Sequence, residues 1–145
     1  MLHTLNLDGW EHTAWCVPSA VAMLTGAPVG HMHVRAAFMQ NKPRTKVDGM
    51  FLDEAVLLLH EQGYKATPID LAARYSTAPT IRKFFAERTA FEFCMPIMFS
   101  TADHMMTCHM GFAGDNWTKR PVPVAQFPEL NRKVIAAWVV SEKSK

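Results

Sequence analysis

Apolar positions recur at helical spacing through the first half of the chain and at strand spacing through the second. The run from Cys16 to Leu24 is predicted as a helix, because Pro18 is tolerated in a first turn and Gly26 can supply a left-handed stop. A second helix is expected over Gly30 to Gln40. A third covers about Phe51 to Gln62, where Leu52, Ala55, Val56 and Leu59 fall at i, i+3, i+4 and i+7 and Gly63 terminates the run. The stretch "PTIRKFFAER" gives a fourth, with Pro79 near its start and Ile81, Phe84 and Phe85 on one face.

Beyond this point the period changes. In "FEFCMPIMF", Phe91, Phe93, Met95, Ile97 and Phe99 alternate with Glu92, Cys94, Pro96 and Met98, the two-residue period of a strand. Pro96 places that strand at an edge or a bulge, since proline cannot donate to a ladder. His104 to Met110 is predicted as the next strand and "VIAAWVV" (Val134–Val140) as a late, well-buried one. Helices first and strands afterwards predict an α+β fold, N-terminal helices packed on a C-terminal antiparallel β-sheet, in one domain spanning residues 1–145.

Composition narrows the function classes. A hydrophobic content of 49% suffices for a packed core, and ten methionines supply adaptable volume to it. No apolar run approaches the roughly 18 residues of a membrane helix, and the start, "MLHTLNLDGWEH", lacks a signal peptide's basic flank and apolar stretch. Cytoplasmic residence is the expectation, with no membrane partner. Net charge is only +2, and the basic clusters "KPRTK" (Lys42–Lys46) and Lys119–Arg120 are short, so nucleic-acid binding is not expected. Cys16, Cys94 and Cys108 form an odd set without Cys-x-x-Cys spacing, which predicts reduced thiols. Cys94 and Cys108 are read as small core residues. His104 and Cys108 share a strand face, but paired short-spaced ligands are lacking, so neither a metal nor a cofactor is expected.

Cys16 stands apart from the other two cysteines. A thiol at a helix N-terminus meets unpaired backbone N–H groups and the positive end of the helix dipole, and both favour the nucleophilic thiolate. Such a nucleophile needs a base. Of seven histidines, His31, His33 and His60 fall in helical stretches and His12 on an irregular approach, whereas His104 opens a strand after the polar turn "STAD". An orienting carboxylate or amide completes such a trio. A two-residue hairpin centred on Met110–Gly111 makes cross-strand pairs sum to 221, which sets Asp115 opposite Met106 and diagonal to His104. Asp115 is the favoured orienter. A turn longer or shorter by one residue would substitute Asn116.

Cys opening an N-terminal helix, His opening a strand and Asp or Asn on the next strand is similar to the papain-like cysteine peptidase clan. More closely, "CVPSAVAMLTG", "PTIRKFFAER", "DHMMTCHMGFAGDNW" and "KVIAAWVV" look like small phage-encoded papain-like proteins. The resemblance covers roughly Trp15–Thr25 and Pro79–Val140. It implies a papain-like fold and a cysteine hydrolase, a peptidase or amidase working through a thioester acyl-enzyme on a peptide or other acyl or amide substrate. Cys16 would be the nucleophile, His104 the general base and acid, and Asp115 the orienter. If phage-encoded, the protein would work in the host cytoplasm. The alternative it allows is a catalytically weak or inactive papain-like module that binds a host or partner protein. The sequence departs from the clan at two points. "LDGWEHTAW" has no Gln to supply an oxyanion donor, which leaves His12, Asn6 and Trp10 as candidates, and Asp103 replaces a Gly beside the base. Trp10, Trp15 and Trp117 are expected as cleft walls or interface anchors.

Overall fold

The computed structural model describes residues 1–8, 15–41 and 52–143. Three helices come first: α1 (Cys16–Thr25), α2 (Val29–Met39) and α3 (Leu52–Glu61). Then follow β1 (Tyr64–Pro68), α4 (Leu71–Arg74), α5 (Ile81–Ala86), α6 (Ala90–Cys94), β2 (Ile97–Ser100), β3 (Met105–His109), β4 (Phe112–Gly114), β5 (Val122–Pro123) and β6 (Ala136–Glu142). The fold is α+β, built on a six-stranded antiparallel sheet in the order β1-β6-β2-β3-β4-β5. Among the described residues no helix is long and apolar enough to cross a membrane.

Each face of the sheet carries its own core, and strand alternation decides which side chain joins which. Met98, Met105, Trp138 and Val140 pack with α1, α2 and α3, and their neighbours Ile97, Phe99, Met106, Ala137 and Val139 pack on the other face with Ile81, Phe84, Phe85 and Phe127. Burial on both faces is what makes "VIAAWVV" and "IMF" continuous apolar runs rather than alternating ones. Helix α1 is apolar almost all round because α2, α3 and β3 enclose it. Gly26, at φ 78°, stops it in the left-handed conformation, with its N–H donating to the Ala22 carbonyl.

Four expectations need correction. The alternation at residues 91–95 is not a strand: residues 90–94 are α6, whose capping box joins the Thr89 side chain to the Glu92 backbone and the Glu92 side chain to the Thr89 backbone. The helix also inverts the anticipated burial, since Phe91 and Phe93 are exposed while Glu92 is buried in an ion pair with Arg74 of α4. Pro96 does not mark an edge, because β2 lies between β6 and β3 and the Pro96 carbonyl accepts the Val140 N–H. Cys94 is exposed rather than in the core, whereas Cys108 is buried. The sheet is also less segregated than the helices-then-strands reading expects: β1 precedes α4 and pairs with the last strand, β6.

Candidate active site

Packing fixes α1 against the β3–β4 hairpin at close range. The Thr107 hydroxyl donates to the Gly114 carbonyl at 2.9 Å and lies 3.2 Å from Met23 Sδ. A Cβ at Gly114 would collide with that same sulfur, so the helix settles on the hairpin where the chain carries no side chain. The contact directs the N-terminal end of α1, with Cys16 as its first residue, toward the start of β3.

The hairpin itself pairs Thr107 with Gly114, Cys108 with Ala113 and His109 with Phe112, so its register sums to 221 and Met110–Gly111 forms the turn. The ladder ends just short of His104 and Asp115, and the pairing continues through their side chains. The His104 Nε2–H donates to Asp115 Oδ2 at 2.9 Å. His104 also interacts with the Cys16 side chain, and that interaction favours the protonated ring. One imidazole thus joins the start of α1 to the end of the hairpin.

Electrostatics at this junction favour an ion pair. Burial works to lower the His104 pKa, but the Asp115 and Cys16 partners overcome it and hold the imidazole up at about 9. Burial works to raise Asp115, yet the bond from His104 and the backbone N–H groups of Thr118 and Trp117 keep its carboxyl below the usual value. Both oxygens are engaged: Oδ2 with His104, and Oδ1 with the Trp117 and Thr118 N–H groups at 2.9 Å each. The Asp115 N–H in turn donates to Thr118 Oγ1 at 3.0 Å. The Trp117 indole then lies flat on the imidazole, with centroids 4.5 Å apart and planes at 15°, and covers it while remaining 60% exposed. Cys16 is half-buried.

The other sequence candidates fall elsewhere. Asn116 is buried beside Asp115 but does not meet His104, and its Oδ1 has no hydrogen-bond partner among the described residues. Asn6 is exposed, and its carbonyl accepts the Val29 N–H. Trp15 immediately precedes Cys16 and stacks on His33. Trp10, His12 and the segment Lys42–Phe51 lie outside the described residues. The charge expected beside the base at position 103 is directed away from it: Asp103 pairs with the Arg132 guanidinium, which holds its carboxyl low. Sequence reasoning missed Thr118, although "DNWT" carries the Asp-x-x-Thr spacing of a reciprocal side-chain-to-backbone turn.

A histidine and two cysteines also lie at the far end of the hairpin. There His109 Nε2–H donates to the Cys94 carbonyl at 3.0 Å, and burial lowers its pKa. Burial pushes the Cys108 thiol up to about 12 despite the neighbouring Arg88. Among the described residues no group of three or more His, Cys, Asp or Glu side chains gathers as a metal site would require. Comparison with protein-family models, with curated proteins and with solved structures gives no match.

Proposed function

We propose that this protein is a papain-like cysteine hydrolase acting on a peptide or other amide or acyl substrate. The observation that carries the reading is the His104 imidazole held between a buried carboxylate and the sulfur at the start of α1. In the first half-reaction the Cys16 thiolate attacks the carbonyl carbon, forming the C–S bond, and the negative charge moves to the carbonyl oxygen. The Cys16 backbone N–H, at a helix N-terminus, suits that charge. The His104 imidazolium gives its proton to the leaving nitrogen as the C–N bond breaks, and a thioester remains. In the second half-reaction neutral His104 takes a proton from water, whose oxygen attacks the thioester. The C–S bond breaks, the acid is released, and the thiolate–imidazolium pair is restored. Asp115 holds the ring nitrogens in their roles throughout and stabilises the imidazolium.

The test is covalent capture. An activated acyl ester or an acyloxymethyl ketone should add once to the native protein, and peptide mapping should place the adduct on Cys16. Cys16→Ala should take none. Absence of any adduct on the wild type under conditions that preserve the fold would overturn the hydrolase reading and leave the binding-module alternative.

A further inference from the structure

His33 is a fully buried imidazole that the proposed chemistry leaves without a role. It lies in α2, with its ring face to face against the Trp15 indole, centroids 4.3 Å apart and planes at 19°. Trp15 is the N-cap of α1 and the residue bonded to the nucleophile. N-caps are ordinarily Ser, Thr, Asp or Asn, whose oxygens bind the second or third amide of the helix. An indole has no such acceptor. Pro18, at the third helical position, has no N–H to offer, and the Ser19 N–H donates to the Trp15 carbonyl. The forward-pointing donors of the first turn are therefore those of Cys16 and Val17, and the residue at the cap position does not compete for them through its side chain.

We infer that stacking of Trp15 on His33 takes the place of a hydrogen-bonding cap, anchoring the entry of α1 to α2 while keeping the first-turn amides directed at the reacting carbonyl. His33 is thus a positioning residue for acyl transfer, an inference that rests on the reading of Cys16 as nucleophile. Tethering matters at this point because the sulfur and the amide of one residue must serve the same carbonyl group at once. A small displacement of the helix entry separates the two tasks. Attack on a simple alkyl halide needs the sulfur alone, since no oxyanion forms, whereas acylation needs both.

The experiment compares two rates on the full chain: acylation by p-nitrophenyl acetate and alkylation by iodoacetamide, both read at Cys16 by mass spectrometry. His33→Phe keeps a flat ring for stacking and should hold the acylation-to-alkylation ratio within about twofold of wild type. His33→Leu removes the ring and should lower that ratio roughly tenfold or more, chiefly through acylation. A His33→Leu protein that folds and keeps the wild-type ratio overturns the inference. Should His33→Leu not fold, Trp15→Leu against Trp15→Phe decides by the same ratio: a loss confined to Trp15→Leu supports it, and equal ratios overturn it. The wild-type arm separates the two levels. No acylation of Cys16 in the wild type refutes the hydrolase reading and the role of His33 with it, whereas normal wild-type acylation with an unchanged ratio in the variants refutes the role of His33 alone.

Discussion

The two ends of the β3–β4 hairpin hold the same kinds of residue in opposite electrical states. At one end His104 stands between a carboxylate and a sulfur and is held protonated up to about 9. At the other, His109 donates to a backbone carbonyl and burial lowers its pKa, while Cys108 is sealed in the core and its thiol is pushed up to about 12. A histidine and a cysteine near each other are therefore not a site in themselves. A buried carboxylate bonded to the imidazole, and a half-buried rather than sealed cysteine beside it, separate the two ends.

The largest expected effect breaks the comparison at its sulfur atoms. Cys16→Ala should reduce acyl transfer by at least about 10⁴-fold, because the proposed reaction forms its acyl bond on that sulfur. Cys108→Ala should leave acyl transfer unchanged while costing about 1–2 kcal/mol of stability for the lost buried sulfur. Equal activity in the two variants, read by hydrolysis of an activated ester, would remove the distinction between the ends.

Next come the two histidines. His104→Ala should lower acylation by about 10²–10⁴-fold, the usual worth of a positioned proton donor, and His109→Ala should not. Asp115→Asn is smaller and tests why this carboxylate uses both oxygens. Asparagine has one acceptor, so it cannot receive the Trp117 and Thr118 N–H groups and a protonated imidazole as Asp115 does. A loss of about 10–100-fold is expected, with the imidazole titrating below about 9 in an NMR pH series.

Stability against pH tests the comparison without touching activity and has opposite signs at the two ends. His104 is raised from 6.5 to about 9, so its contribution is complete below 6.5 and fades as pH rises through 9, by on the order of 3 kcal/mol. His109 is lowered, so the folded state resists its protonation and stability is lost as pH falls through the ordinary imidazole range. Asp115, also lowered, contributes above the ordinary carboxylate range and loses its effect as pH falls below it. Urea titrations from pH 5 to 10 on wild type, His104→Ala and His109→Ala resolve these terms. A His104→Ala profile that falls above neutrality as steeply as wild type would remove the imidazole's share.

Much of this arrangement is legible in the sequence, and the reasons differ by element. Helices α1, α2 and α3 declare themselves because each is long enough to show its period or is closed by a glycine, as at Gly26 and Gly63. The hairpin register is legible because two residues, Met110 and Gly111, fix every pair above them, and with them the diagonal from His104 to Asp115. Helix α6 is not legible from periodicity, since its five residues span little more than one turn and Phe91, Glu92 and Phe93 mimic strand alternation. Its signal was the Thr-x-x-Glu cap. Strand β1, "YKATP", is an edge strand with little buried surface, and only its pairing with the distant β6 defines it. The Trp15–His33 stack joins separate helices, and no local pattern in either shows it.

The central claim is that His104 and Asp115 make Cys16 a nucleophile that Cys94 and Cys108 are not. Time-resolved alkylation of the native protein with iodoacetamide, mapped by mass spectrometry between pH 5 and 10, tests it most directly. Cys16 should react first, at a rate that is already substantial at neutral pH and that falls in His104→Ala, while Cys108 stays unmodified until the protein unfolds. If Cys16 reacts no faster than exposed Cys94, with the alkaline rise of an ordinary thiol and no change in His104→Ala, the account is contradicted.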